Sequence, residues 1–186
     1  EPVPDAAVES PRTASDASQW VSLAGLALKP KQRYLWQVRA WDEQNRDSGW
    51  SAPARFATGL LGTAWPAAAA WIGDGLSPPQ GGAPHARYLR GEFELADKPA
   101  RARLYFSAFG AAEPWLNGKK VGDDFLLPGW PDYRKRAFYV AYDVTAQVDA
   151  GRNTLGLILG EGWFSSTLLR GTQFGTQPMV SAFLEL

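Results

Sequence analysis

Leu116-Asn117-Gly118-Lys119-Lys120-Val121-Gly122-Asp123-Asp124, followed by Pro128-Gly129-Trp130-Pro131-Asp132-Tyr133 and then Tyr142-Asp143-Val144-Thr145, decides the fold of this chain. An Asn-Gly pair between two strand-like runs is the strongest short-range hairpin signal, because both central residues of a type I′ turn take positive φ. Asp123-Asp124, Gly129-Trp130 and the later Gly160-Glu161-Gly162-Trp163 then put carboxylates and large aromatics on loops. Acids and rings on loops held by a rigid β scaffold suit a surface that handles sugars. They also occur on all-β proteins for other reasons.

Outward from that stretch the chain is strand and turn. Arg101 to Phe109 alternates, with Ala102, Leu104, Phe106 and Ala108 on one face against Arg101, Arg103, Tyr105 and Ser107 on the other. Period-2 alternation of this kind predicts a half-buried strand. Tyr88 to Leu95, Glu113 to Leu116, Ala137 to Tyr142, Thr154 to Leu159 and Met179 to Leu186 read as further strands, with Asp149 to Asn153 as a turn before the Leu155-Leu157-Leu159 run. Asp143 to Val148 is the one short helix candidate. Upstream, Trp20 to Leu23 is a short apolar run. Tyr34, Trp36, Val38 and Ala40 share a face of a strand that a polar loop, Asp42 to Gly49, connects to Ala54 to Thr58. The Pro- and Gly-rich Ser77 to Pro84 is a loop. Many short strands with turn signals between them predict an all-β sandwich.

Composition narrows the function. Nineteen basic and nineteen acidic residues balance, and no Lys/Arg stripe appears, so the electrostatic footprint of a nucleic-acid binder is missing. No apolar run approaches the ~20 residues of a membrane span. With no cysteine there is no thiolate nucleophile, disulfide framework or Cys-based zinc site. The compartment stays open among secreted, periplasmic and cytoplasmic. The lone His85 has no partner in a recognisable catalytic motif and reads as a surface residue. Arg134-Lys135-Arg136 reads as a solvated strand start or loop. The chain opens on Glu1 and runs a strand off its end at Leu186, the pattern expected of a processed start or of an internal piece of a longer protein.

Trp71-Ile72-Gly73, Leu116-Asn117-Gly118-Lys119 with Val121-Gly122-Asp123, Pro128-Gly129-Trp130 with Asp132 to Arg136, Tyr142 to Thr145, Gly151-x-Asn153 and Leu159-Gly160-x-Gly162-Trp163 resemble the amino-terminal region of bacterial α-L-rhamnosidases, glycoside hydrolase family 78. The run Tyr34-x-Trp36-x-Val38-x-Ala40-x-Asp42, the turn Gly49-x-Ser51-x-Pro53 and the closing Phe56-x-Thr58 resemble the last strands of a fibronectin type III-like sandwich. Such a sandwich needs about seven strands over ~100 residues. The resemblance therefore implies the C-terminal part of a fibronectin III-like module over 1–60 and a linker over 61–70. A jelly-roll, galactose-binding-like β-sandwich over 71–186 follows, cut short at its end. It also implies that hydrolysis belongs to a separate downstream helical domain, for which this chain has no room. The partners expected are that catalytic domain and a rhamnose-containing glycoside, with no nucleic acid and no membrane.

The candidate carbohydrate-binding residues are Trp130, Trp163, Glu161, Asp123, Asp124, Asn117 and Glu113; none is assigned to catalysis. Trp130, between Pro131 and Gly129, is the best stacking candidate, because a ring covers the apolar C–H face of a sugar at small entropic cost. A buried plug or a contact with the catalytic domain is its structural alternative, and Trp163 beside Glu161 has the same two readings. Asp123 and Asp124 offer oxygens to sugar hydroxyls or to calcium, or simply favour a turn. Asn117 reads first as a turn residue tolerating positive φ. Glu113 lies where some family members hold rhamnose through calcium. Its neighbours Ala111, Ala112 and Pro114 supply no further metal-type side-chain oxygens, so no cofactor is expected, with calcium the alternative the resemblance leaves open. A ligand-free scaffold and a carbohydrate-binding module of another glycosidase are the alternatives in function.

Overall fold

The structure is a computed structural model and describes residues 9–17, 19, 21, 26–75, 85–166 and 174–186. The Trp20 to Leu23 run falls almost wholly outside the described residues, as does the Ser77 to Pro84 loop. The chain divides into a unit up to Trp65 and a second from Pro66 onward, and the described parts are nearly all β.

In the first unit β1 (Arg33–Trp36) pairs antiparallel with β2 (Ala54–Ala57), placing Tyr34 opposite Phe56 with their rings stacked 5.1 Å apart. The connection is held by side chains that the sequence placed in a loop. Asp42 accepts the backbone N–H groups of Gln44 and Arg46, and the Arg39 guanidinium pairs with Asp47. That pairing, with the Gly49 N–H behind it, pulls the Asp47 carboxyl down to about 2. One expectation needs correction. The strand ends at Trp36, and the face expected to be half-buried is open, with Trp36 and Val38 each about half exposed. Among the described residues of this unit no further strand covers that face, and two strands alone do not bury one.

The second unit is a sandwich of two antiparallel sheets. One has the order β3-β8-β5-β6, from β3 (Arg87–Leu95), β8 (Gly151–Gly160), β5 (Ala111–Leu116) and β6 (Lys119–Lys120). The other is β7-β4-β9, from β7 (Tyr139–Asp143), β4 (Arg103–Phe109) and β9 (Met179–Glu185). Both sheets feed two core clusters. Leu104 meets Leu116, Val144 and Val148 in one; Phe106 and Ala108 meet Ala112, Leu157, Leu159 and Val180 in the other.

The Asn117-Gly118 turn forms as expected. Leu116 pairs with Lys119, and both loop residues take positive φ, 50° and 78°. The short helix candidate is a single 3₁₀ turn, Thr145–Gln147, and a one-turn helix α1 (Gly162–Ser165) follows β8.

The alternation of β4 is corrected in one respect. Both of its faces are buried, because it is the central strand of its sheet and its second face is covered too. Tyr105 is fully buried against Phe183, rings parallel at 4.7 Å. The segment before β3 lies against β9: Ser181 donates to the Ala69 carbonyl, Ile72 bridges to Val180, and Trp71 stacks on Phe109 at 4.3 Å.

Candidate functional site

The loops that carry the candidate residues are seated on rings. Phe109, at the end of β4, stacks on Trp71 and Phe164 and meets the edge of Tyr133; Tyr133 in turn meets Phe164 and Phe174 edge-on. Burial among these rings pushes the Tyr133 hydroxyl above its ordinary range, and that hydroxyl donates to the Gly129 carbonyl at 3.2 Å. The Pro128-Gly129-Trp130 loop is thereby tied to the aromatic cluster beneath it.

Trp130 and Trp163 come together. Their rings stack nearly parallel, at 7°, with centroids 5.9 Å apart. Trp163 belongs to α1 and is half-buried, while Trp130 remains 49% exposed. One loop and one helical turn, 33 residues apart in sequence, thus build a single two-ring platform with an open side. Glu161 stands two residues before Trp163. Its side chain is buried, and its Oε1 has no hydrogen-bond partner among the described residues.

The other candidates are placed elsewhere and are mostly spoken for. The Asn117 amide donates to the Gln147 carbonyl and to Asn153 Oδ1, and its Oδ1 accepts the Thr154 N–H, so the whole head group braces the hairpin. Glu113 pairs with Lys120 at 2.9 Å and accepts the Trp115 indole N–H at 2.8 Å. Those two contacts, Lys120 first, hold its carboxyl below the usual carboxylate range. The Lys120 ammonium also lies 4.1 Å from the Phe125 ring.

Asp124 is exposed and accepts the Tyr142 hydroxyl. Burial first, and then that carboxylate, pushes the Tyr142 hydroxyl well above its ordinary range. The contact depends on Gly122, where a Cβ would overlap the Tyr142 ring at 2.5 Å. Asp123 beside it is exposed, with no hydrogen-bond partner among the described residues. Of the two aspartates, Asp123 is therefore the uncommitted acceptor. His85 is exposed beside Asp74 at 3.8 Å. Among the described residues no three His, Cys, Asp or Glu side chains gather where one ion could touch them, whereas calcium takes six to eight oxygens.

Lys120, Tyr133 and Tyr142 shape these loops but are not among the candidate site residues read from the sequence. Tyr142 and Lys120 sit in or beside alternating strands, where a polar tip on a packed body carries no local signal.

Two families of domain match this chain. Residues 3–62 match the Rha78A-like N-terminal immunoglobulin domain, and residues 97–186 match the α-L-rhamnosidase N-terminal domain. The immunoglobulin domain and the fibronectin type III-like module expected for the first unit are both antiparallel sandwiches. An α-L-rhamnosidase of Alteromonas sp. (strain LOR) is 36% identical over 187 residues, covering 96% of this chain and 20% of that protein. One of Formosa agariphila is 36% identical over 167 residues, covering 86% and 18%. The chain thus spans about a fifth of the length of these relatives. The crystal structure of native α-L-rhamnosidase from Aspergillus terreus superposes with a TM-score of 0.77 at 29% identity, over 87% of this chain and 19% of that one.

Proposed function

This chain belongs to the α-L-rhamnosidase family as its amino-terminal region, and from that premise we propose that it is the non-catalytic part of an enzyme that removes terminal α-L-rhamnose from glycosides. Its role is to position the rhamnosylated substrate, and the Trp130–Trp163 platform is where the sugar rests. The observation that carries this reading is the platform itself: two parallel indoles, one of them half exposed, on loops anchored to a buried aromatic cluster. A preformed ring surface binds a C–H face with little ordering cost. Asp123, the uncommitted carboxylate, is the acceptor offered to a hydroxyl; Asn117 and Glu113 serve the frame.

A second reading, favoured by the internal pairing of Asn117, Glu113 and Asp124, is that these loops brace the catalytic domain and hold no ligand. Titration of the chain with L-rhamnose, followed by tryptophan fluorescence with calcium and with chelator, separates the two. The positioning role predicts a saturable change, weakened about tenfold by Trp130→Ala and unaltered by calcium. No response would leave the bracing role. Release of rhamnose from a chromogenic rhamnoside by this chain alone would overturn the non-catalytic assignment.

A further inference from the structure

The outer face of the four-stranded sheet holds a groove of about 330 Å³ that the platform does not involve. It is made by an absence. Across the sheet, Arg90, Gly156 and Trp115 stand in one row, since Arg90 pairs with Gly156 on one side and Trp115 pairs with it on the other. Neighbouring strands lie about 4.8 Å apart, so Arg90 and Trp115 face each other across roughly 10 Å with only backbone between them. Tyr88 and Ile158, paired in the adjacent row, close one end, and Tyr88 is 78% exposed.

Nothing in the fold requires glycine at 156. The register of β3 with β8 is unbroken from Arg87↔Leu159 to Leu95↔Gly151, so no bulge is present. The position has no positive φ, and a Cβ there would meet its nearest neighbour, Trp115 Cβ, at an ordinary 3.6 Å. Glycine inside a strand weakens it, and a common reason for one is that a ligand comes close to the backbone.

We propose that this slot binds one pyranose ring of a saccharide, lying over Gly156 with a C–H face against the Trp115 indole. The indole is held in place, because its N–H is already bonded to Glu113 and Glu113 to Lys120. The lining is mostly apolar, and Arg90 and Thr154 are side chains in it that can meet hydroxyls; Glu92, the ion-pair partner of Arg90, lies two residues along β3 on the same face. The volume sits at the small end of ligand pockets, enough for a single ring and too small for a helix or a folded partner. The site stands independently of the Trp130–Trp163 platform and shares no residue with it.

The test is an ¹H–¹⁵N spectrum of the whole chain, titrated with methyl α-L-rhamnopyranoside and separately with methyl β-D-glucopyranoside. Either sugar is expected to move the Gly156 amide and the Trp115 indole N–H. Gly156→Val, which fills the slot with a residue that strands favour, and Tyr88→Ala, at a position too exposed to affect folding, are each expected to weaken those shifts about tenfold. The Trp130 and Trp163 indole signals keep their response in both variants. No movement at Gly156 and Trp115 with either sugar, movement confined to Trp130 and Trp163, or shifts that survive Gly156→Val would each overturn the proposal.

Discussion

At the scale of single residues, Asn153 is a fully buried polar side chain with four hydrogen bonds. Its amide donates to the carbonyls of Asp149 and Gly151, while its Oδ1 accepts from the Asp149 N–H and from Asn117. It joins the turn that starts β8 to the Asn-Gly turn that ends β5. Removing it leaves several part-buried groups unpaired, and a hydrogen bond of this kind is worth about 1 kcal/mol. Asn153→Ala is expected to lower stability by about 3 kcal/mol in urea unfolding, and Asn153→Asp to be no milder, because an oxygen in place of the amide nitrogen would face the Asp149 and Gly151 carbonyls. The same logic separates the two aspartates of the candidate site. Asp124 is held by Tyr142 and Asp123 is not, a difference that depends on a tyrosine 18 positions away.

At the scale of elements, the Gly160-Glu161-Gly162-Trp163 run is explained by what it packs against. Gly162 has a φ of +49°, and a Cβ there would come within 2.7 Å of the Gly110 and Ala111 backbone. The chain therefore leaves β8, turns tightly over the start of β5 and enters α1, which delivers Trp163 to Trp130 and Phe164 to Phe109. Gly162→Ala meets both a backbone clash and a disfavoured conformation. It is expected to cost about 2–4 kcal/mol, read as a lower urea midpoint together with a changed tryptophan emission as the two indoles separate. A packing defect that left the emission of the folded protein unchanged would show that α1 is not held by this contact. The hairpin turn at Asn117-Gly118 was legible because its chemistry is local: two adjacent residues and one requirement on φ. The platform was not, because Trp130 and Trp163 each looked like a lone loop aromatic, and only the fold stacks them.

At the scale of the whole molecule, the two units differ in what they bury. Apart from Thr58 and Leu60, the described residues of the first unit are not buried, and Trp36, Val38, Trp50 and Phe56 are substantially exposed. The second unit closes two apolar clusters between its sheets. A chain of residues 66–186 is accordingly expected to unfold cooperatively by itself, whereas residues 1–65 alone should melt without a sharp transition, as circular dichroism during heating would report. A cooperative transition in the shorter piece would mean that its ribbon has cover beyond what is described. By itself the sequence determined the all-β class, the hairpin at Asn117-Gly118 and the membership of the family, because turn chemistry, period-2 alternation and motif order are properties of neighbours along the chain. Tertiary structure alone decided that β4 is buried on both faces, that Asn117 and Glu113 belong to the frame, and that two distant tryptophans form one surface. Which face of a strand is covered, and which carboxylate already has a partner, depends on residues brought near by folding, and local sequence carries no record of them.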